Sequence, residues 1–230
     1  MNQAIVIFRV VLFLALISIQ AAHGETAATL KAREALRHER WDEALNTANR
    51  AISFDPGDAE AYSIRGKVYF KHEQFDKARA DFDKALHFRP GLFDSALYQY
   101  RAQCYIEKQA FPQAVSDLQH AIRLYQSPTE YKLLGQVYCQ QNRLEEALQC
   151  FSKAIALDKK SFWTYRDRGD VYARLKKYPS ALSDYSKFIE MNPTAAVGYN
   201  TRAQIYLKMG KKDLAESDLK QARKFEKGFD

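Results

Sequence analysis

The chain has little of what usually carries chemistry. Only three of its 230 residues are cysteine, Cys104, Cys139 and Cys150, and no two form a CxxC, so no paired thiol framework is indicated. The five histidines, His23, His38, His72, His87 and His120, are scattered without an HExxH, and there is no GxSxG, no phosphate-binding loop and no GxGxxG. No catalytic residue, metal site, cofactor or small-molecule substrate is therefore expected. Charge of one sign is in only modest excess: charged residues make up 27% and the formal net charge is +7, spread along the chain with small clusters at Lys176-Lys177, Lys211-Lys212 and 224–227. No nucleic-acid module accompanies these cations, so a nucleic-acid partner is not expected. Long apolar runs are also missing after residue 22, which excludes a multi-span membrane protein, while 47% apolar residues exclude a disordered one.

The one apolar run stands at the start. Residues 4–19 are nearly all apolar with a single Arg9, and Gln20-Ala21-Ala22-His23-Gly24 follows. This reads as a secretory signal over 1–24, with an apolar core at 10–19 and small residues Ala22 and Gly24 placing cleavage before Glu25. The alternative is an uncleaved single-pass anchor, since 4–22 is close to the minimum span of a bilayer. No cysteine near the cleavage point suggests a lipoprotein anchor. Either reading exports the rest: to the periplasm or the medium in a bacterium, to the endoplasmic-reticulum lumen in a eukaryote.

What fills residues 25–230 is periodic. Counting Ala59 as position 1, the stretch 59–90 has Tyr62 at 4, Gly66 at 8, Tyr69 at 11, Phe75 at 17, Ala78 at 20, Phe82 at 24, Ala85 at 27 and Pro90 at 32. That is the spacing of two short antiparallel helices. Gly66 and Ala78 let the backbones approach, rings fill the space beside them, and proline stops the second helix. Position 20 recurs as Ala44, Ala78, Ala114, Ala147, Ala181 and Ala215, at steps of 34, 36, 33, 34 and 34 residues. Six repeats follow, approximately 25–58, 59–92, 95–127, 128–161, 162–195 and 196–230. With about eight positions recurring together, residues 25–230 resemble the tetratricopeptide repeat (TPR) proteins. The resemblance implies an all-α fold, an α-solenoid of right-handed superhelical hand whose first helices line a concave surface.

Departures from the pattern carry their own expectations. The first repeat has a weak first helix with Ala28, Ala32 and Ala35, as suits a terminal repeat, and the last second helix grows polar like a cap. The extra residues near 91–94 belong in a connecting turn, and Lys159 replaces the usual proline. Phe188 stands where alanine is usual, which predicts a local shift of the helices. Asp81, Asp83, Asp117, Asp184 and Asp218 recur on second helices and read as solvated faces paired with nearby cations at helical spacing. The cysteines fall at positions 10, 12 and 23, which predicts buried or half-buried small residues in preference to a Cys104–Cys139 bridge.

In this family, extended peptides or partner helices lie across first-helix positions 2, 5, 6, 9, 12 and 13. Carried onto this chain, those positions give a peptide-binding set of Arg33, Lys67, Phe70, Gln99, Tyr100, Gln103, Lys132, Gln136, Trp163, Arg166, Asp170 and Asn200. Tyr100 and Trp163 stand out, because a part-exposed aromatic gives much contact area for little entropy loss. The lysine and asparagine set that holds a C-terminal carboxylate in chaperone-binding relatives is not matched: Ile64 and Asp167 break it. The implied function is a non-catalytic interaction scaffold binding a polypeptide outside the cytosol. The alternative is a membrane-anchored accessory or co-chaperone-like subunit. If there is one binding region, the departures place it on the concave side of repeats three to five. The alignment itself is testable. Ala147→Leu overpacks the closest helix contact of repeat four and costs about 1–3 kcal/mol in urea denaturation; an unchanged midpoint and slope would contradict the register there.

Overall fold

A computed structural model describes residues 26–91 and 95–226. The leader expected over 1–24 and its cleavage point lie outside the described residues, as does most of the insertion at 91–94. Twelve helices and no strand occur among the described residues. They are α1 (Ala27–Arg37), α2 (Trp41–Phe54), α3 (Ala59–Lys71), α4 (Phe75–Phe88), α5 (Ser95–Glu107), α6 (Phe111–Leu124), α7 (Pro128–Gln140), α8 (Leu144–Leu157), α9 (Phe162–Arg174), α10 (Tyr178–Met191), α11 (Ala196–Lys208) and α12 (Lys212–Glu226). The chain divides between Ala110 and Phe111 into two compact units. In the first, α1–α2 and α3–α4 are helix pairs and α5 packs on α4; in the second, α6 packs on α7 and the pairs α7–α8, α9–α10 and α11–α12 stack in order.

Local chemistry sets the ends of these helices. Asp58 caps α3 by accepting from Ala61 N–H at 2.9 Å, and Pro128 begins α7, where its missing N–H costs nothing. The turn inside each pair is one motif. Position 15 is left-handed in all six, at Glu39, Glu73, Gln109, Asn142, Lys176 and Gly210, with φ between 55° and 75°. The next N–H then reaches back five residues, as from Gln74 to Tyr69 O at 2.9 Å and from Lys177 to Tyr172 O at 2.8 Å. This closes the first helix as a Schellman motif, although glycine, the usual occupant, is used once.

Packing inside the second pair brings the backbones together as expected, since a Cβ on Gly66 would lie 3.3 Å from Ala78 O, but rings lie closer still. A Cβ on Gly66 would lie 2.6 Å from Phe82 Cε1, and on Gly135 and Gly169 2.8 Å from the rings of Phe151 and Tyr185. The glycine at position 8 therefore chiefly makes room for the ring at position 24. Where position 8 is alanine, in repeats one, three and six, position 24 is Ala48, Leu118 or Leu219. The Phe188 ring is fully buried in a hole at Gly198 of the next first helix, where a Cβ would come within 2.6 Å of it.

Four of the five recurrent aspartates, Asp81, Asp117, Asp184 and Asp218, are buried and so are not on solvated faces, while Asp83 is half-exposed and accepts from Arg79 Nη1 four residues earlier at 3.0 Å, as expected. Asp81, Asp184 and Asp218, all at position 23, are buried and take bidentate hydrogen bonds from the arginine at position 7 of the same repeat. Arg65 Nε and Nη2 lie 2.7 and 2.8 Å from Asp81, Arg168 lies 2.8 Å from Asp184 through both nitrogens, and Arg202 reaches Asp218 at 2.8 and 2.7 Å. Hydrogen bonding to aspartate holds each guanidinium above its ordinary pKa despite the opposing effect of burial. The third nitrogen reaches position 25 of the preceding repeat, Asn49 Oδ1 at 2.8 Å, Ser152 Oγ at 3.1 Å or Ser186 Oγ at 3.0 Å. Arg101 makes the same step back to Asp83 Oδ1 at 2.9 Å. Tyrosines flank the guanidinium one turn away, as Tyr165 and Tyr172, each 5.8 Å from Arg168.

Repeat four replaces this pair with apolar residues, Leu134 at position 7 and Cys150 at position 23, both buried. All three cysteines are free thiols, so no Cys104–Cys139 bridge forms; burial pushes Cys104 up to about 12 and Cys139 and Cys150 up to about 11, which keeps them protonated at neutral pH. The chain thus contains its own control experiment. Asp184→Ala strands a buried guanidinium and is expected to cost about 3–5 kcal/mol in urea denaturation, whereas Arg168→Leu with Asp184→Cys, the repeat-four pair, recovers most of that loss. Equal destabilisation by both would show that the pair is needed as such.

Candidate functional site

The first helices are the natural place for a site, because their faces away from the second helices are left half-covered. In the first unit α3 packs against both α1 and α5. An open groove of about 610 Å³ results. Its floor is aromatic. Phe70 meets Tyr100 edge-on at 5.1 Å and Phe75 at 5.6 Å, and Tyr100 stacks on buried Phe82 at 6.0 Å. Lysines sit over the rings at the rim, Lys67 Nζ 5.8 Å from Tyr100 and Lys71 Nζ 5.7 Å from Trp41. Gln103, Arg37 and Glu107 add hydrogen-bonding groups along the same groove. Four residues singled out in the sequence, Lys67, Phe70, Tyr100 and Gln103, are brought together here.

Arg33 and Gln99 are placed elsewhere. Arg33 donates from Nε to Glu60 on α3, and Gln99 is half-buried on α5 without lining the groove. Trp41 and Phe75 do line it and were not among the expected residues. Both are position 17, the first residue of a second helix, and were read only as packing. The recurrence of an aromatic at that position, exposed enough to be seen from the first-helix side, was the available signal.

The second unit holds a smaller cavity of about 390 Å³ between α7 and α9, lined by Gln136, Cys139, Gln140, Asp167, Asp170 and Arg174. Its carboxylates are bridged within the protein. Asp167 accepts from Gln136 Nε2 at 3.0 Å and Arg166 Nη2 at 2.9 Å, and Asp170 accepts from Tyr185 OH at 2.7 Å. Arg166 Nε is buried without a hydrogen-bond partner, 3.9 Å from Asp170 Oδ2. Burial raises the Asp170 pKa, with the nearby Asp167 charge adding to it, while the Tyr185 hydrogen bond and Arg166 oppose the rise. Burial also raises that of Tyr185. Arg174 bridges to Cys139 O at 3.1 Å and Asn142 Oδ1 at 2.9 Å.

Of the remaining expected residues, Trp163 is 39% exposed and packs against Phe162 and Phe188, each at 5.3 Å, with the Arg166 guanidinium 4.7 Å above its ring. Lys132 is half-buried on α7. Asn200 donates to Glu226 Oε1 at 3.0 Å, so the chain's own last helix takes up that position. No group of three His, Cys, Asp or Glu able to hold a metal occurs among the described residues, and no described helix is long and apolar enough to cross a membrane.

Comparison with known proteins bears on the fold. Family models described as tetratricopeptide repeat match residues 29–93 and 185–217, and one described as TPR repeat matches 135–176. No curated protein matches the chain in sequence. Similar solved structures include MamA, 22% identical over 71% of this chain and 95% of that one, with a TM-score of 0.67. YrrB, a TPR protein with an unusual peptide-binding site, is 20% identical over 77% of this chain and 91% of its own, also with a TM-score of 0.67. The C-terminal part of a TPR repeat-containing protein from Cytophaga hutchinsonii is 19% identical over 86% and 78%, with a TM-score of 0.77. At these identities the likeness is one of fold.

The raised pKa of Asp170 gives the second cavity a pH signature. The folded protein binds a proton there more readily than the unfolded chain, so this carboxyl costs stability at neutral pH and that cost falls as pH drops from above its raised value toward the ordinary 3.8. Asp170→Asn, which can still accept from Tyr185, is expected to raise the melting midpoint at pH 7, with the gain shrinking on acidification. A pH-independent difference would contradict the assignment.

Proposed function

Because the chain belongs to the tetratricopeptide-repeat family, we propose that it is a non-catalytic interaction scaffold that takes a polypeptide segment outside the cytosol, in the groove of its first unit, which is lined by repeats one to three and not by the repeats three to five expected from the sequence. One observation carries the reading: Lys67, Phe70, Tyr100 and Gln103, from consecutive first helices, line one open groove with rings in mutual edge-to-face contact. Packed rings of this kind are rigid, so a bound side chain gains apolar contact without ordering its receptor first. Lysine and glutamine at the rim supply donors for backbone carbonyls and acidic side chains of the segment. The peptide-binding site described for YrrB, which shares the fold, is consistent with this use. The apolar leader at 4–19 and the small residues Ala22 and Gly24 support export.

A second reading rests on the length of the apolar stretch 4–22 and on Arg9, which suit an uncleaved anchor, and makes the chain a membrane-held accessory subunit. Amino-terminal sequencing separates the two, since Glu25 as first residue removes the anchor.

The groove is tested by photo-crosslinking from position 71 in the native compartment. A specific polypeptide is expected there, and its affinity is expected to fall tenfold or more in Tyr100→Ala, a loss on the scale of an interface anchor. Since Tyr100 also supports Phe82, Lys67→Glu and Gln103→Ala provide surface variants that leave that contact intact. Capture that all three leave unchanged would remove the groove from the reading.

A further inference from the structure

The turns inside the helix pairs change character along the chain. Positions 15 and 16 read Glu73-Gln74 and Gln109-Ala110 in repeats two and three, but Lys176-Lys177 and Gly210-Lys211 in repeats five and six. In the second unit these turns share one edge, because the pairs stack in order, and Arg174 at the end of α9 hydrogen-bonds across to Cys139 and Asn142 at the α7–α8 turn. Lys176, Lys177, Lys208, Lys211 and Lys212 are all exposed there. None of their side chains makes a hydrogen bond or ion pair among the described residues, and Asp213 is the one acidic residue in the two turns.

Helix stability accounts for Lys208 in the last turn of α11 and for Lys176 just past the end of α9, but not for Lys177, Lys211 and Lys212 at the starts of α10 and α12. A cation at a helix start is opposed by the macrodipole. Where other pairs place an arginine there, a glutamate three residues on neutralises it, as Arg40 with Glu43 at 2.8 Å and Arg143 with Glu146 at 2.8 Å. At Lys177 and Lys211 the corresponding residues are Ser180 and Leu214. The neutralising partner is missing where the positive charge is densest.

The last turn adds apolar surface. It reads Leu207-Lys208-Met209-Gly210-Lys211-Lys212-Asp213-Leu214, with Leu207 51% and Leu214 48% exposed beside the lysines. Met209 is turned into the core around Tyr185 and Ile205, which anchors the loop while the two leucines face outward. We infer that this edge of the last two repeats docks on an anionic phospholipid surface, the lysines meeting headgroup phosphates and Leu207 and Leu214 entering the interface. Lysines are strongly hydrated point charges without the planar fork that reads a specific phosphate geometry, which suits a diffuse charged surface. Exposed leucines between them suit a bilayer interface, where apolar side chains gain by entering, better than a nucleic acid, where rings for stacking are required.

The test uses the full chain with vesicles of phosphatidylcholine alone and of phosphatidylcholine mixed with an equal part of phosphatidylglycerol. The apolar stretch at 4–19 with its Arg9 is common to every variant, so the quantity read is the ratio of the two partition coefficients, compared between variants. A ratio of tenfold or more at low salt, collapsing at high salt, is expected, since each lysine near an anionic surface contributes roughly fivefold. Changing Lys176, Lys177, Lys211 and Lys212 together to Gln brings the ratio close to one, while the same four changed to Arg preserve it, so loss of charge is distinguished from loss of fold. Leu207→Ser with Leu214→Ser lowers binding to the anionic vesicles severalfold. A wild-type ratio near one, or a ratio unmoved by the four Gln changes, overturns the inference. So does displacement from the vesicles by a single-stranded oligonucleotide together with indifference to the leucine changes, which would assign the edge to nucleic acid.

Discussion

A guanidinium held on three sides organises this molecule. In repeats two, five and six the arginine at position 7 grips the aspartate of its own second helix through two nitrogens and reaches with the third to a side chain of the repeat before it. One residue thus closes a helix pair and attaches it to its predecessor. Hydrophobic contact is non-directional and would tolerate sliding between pairs. A planar fork matched to a carboxylate does not slide, so the clamp is well suited to fixing register, on the attested pattern of buried polar groups that specify alignment at little gain in stability. Repeat four, with Leu134 and Cys150 in those places, shows that the fold can be built without it.

Register matters because the groove is assembled from several helices. Phe70 comes from α3 and Tyr100 from α5, and their edge-to-face contact at 5.1 Å exists only if consecutive first helices are aligned to within a fraction of a side chain. The same holds in the second unit, where Gln136 of α7 reaches Asp167 of α9. In both places the clamps lie on the side of the first helix that faces its partner, and the groove or cavity lies on the other side. The contacts that hold the pairs together and the open surface therefore occupy different faces of one helix, which leaves the exposed face free to vary.

Much of this was legible in the residues. The pairing of helices follows from apolar and small positions at helical spacing, a local signal that recurs six times, and Lys67, Phe70, Tyr100 and Gln103 could be placed on a common face by position alone. What could not be read involved partners far apart in sequence. Asp184 looked like an ordinary surface carboxylate because its partner, Arg168, stands 16 residues earlier on another helix, and the third contact, Ser152, a further 16 before that. Asp170 stands in the expected peptide-binding set, yet its carboxylate accepts from Tyr185 OH on the second helix, and Trp41 and Phe75, at the starts of second helices, line the groove although only first-helix positions were expected to. Each miss is a case in which a residue's environment is set by a neighbouring element and its own helix says little.

The ring of Phe188 seated against Gly198 has a consequence for how such a chain can change. Repeat proteins lengthen and shorten by gaining or losing whole modules, which presumes that any module can follow any other. Position 3, where Gly198 stands, is Ala61, Leu97, Glu130 or Thr164 in the other repeats after the first. None of those leaves room for a buried phenyl ring. Repeats five and six are consequently a joined couple: a duplication, deletion or swap that separates them would strand the ring against a side chain. Within an array of near-copies, this one oversized residue gives the modules an order.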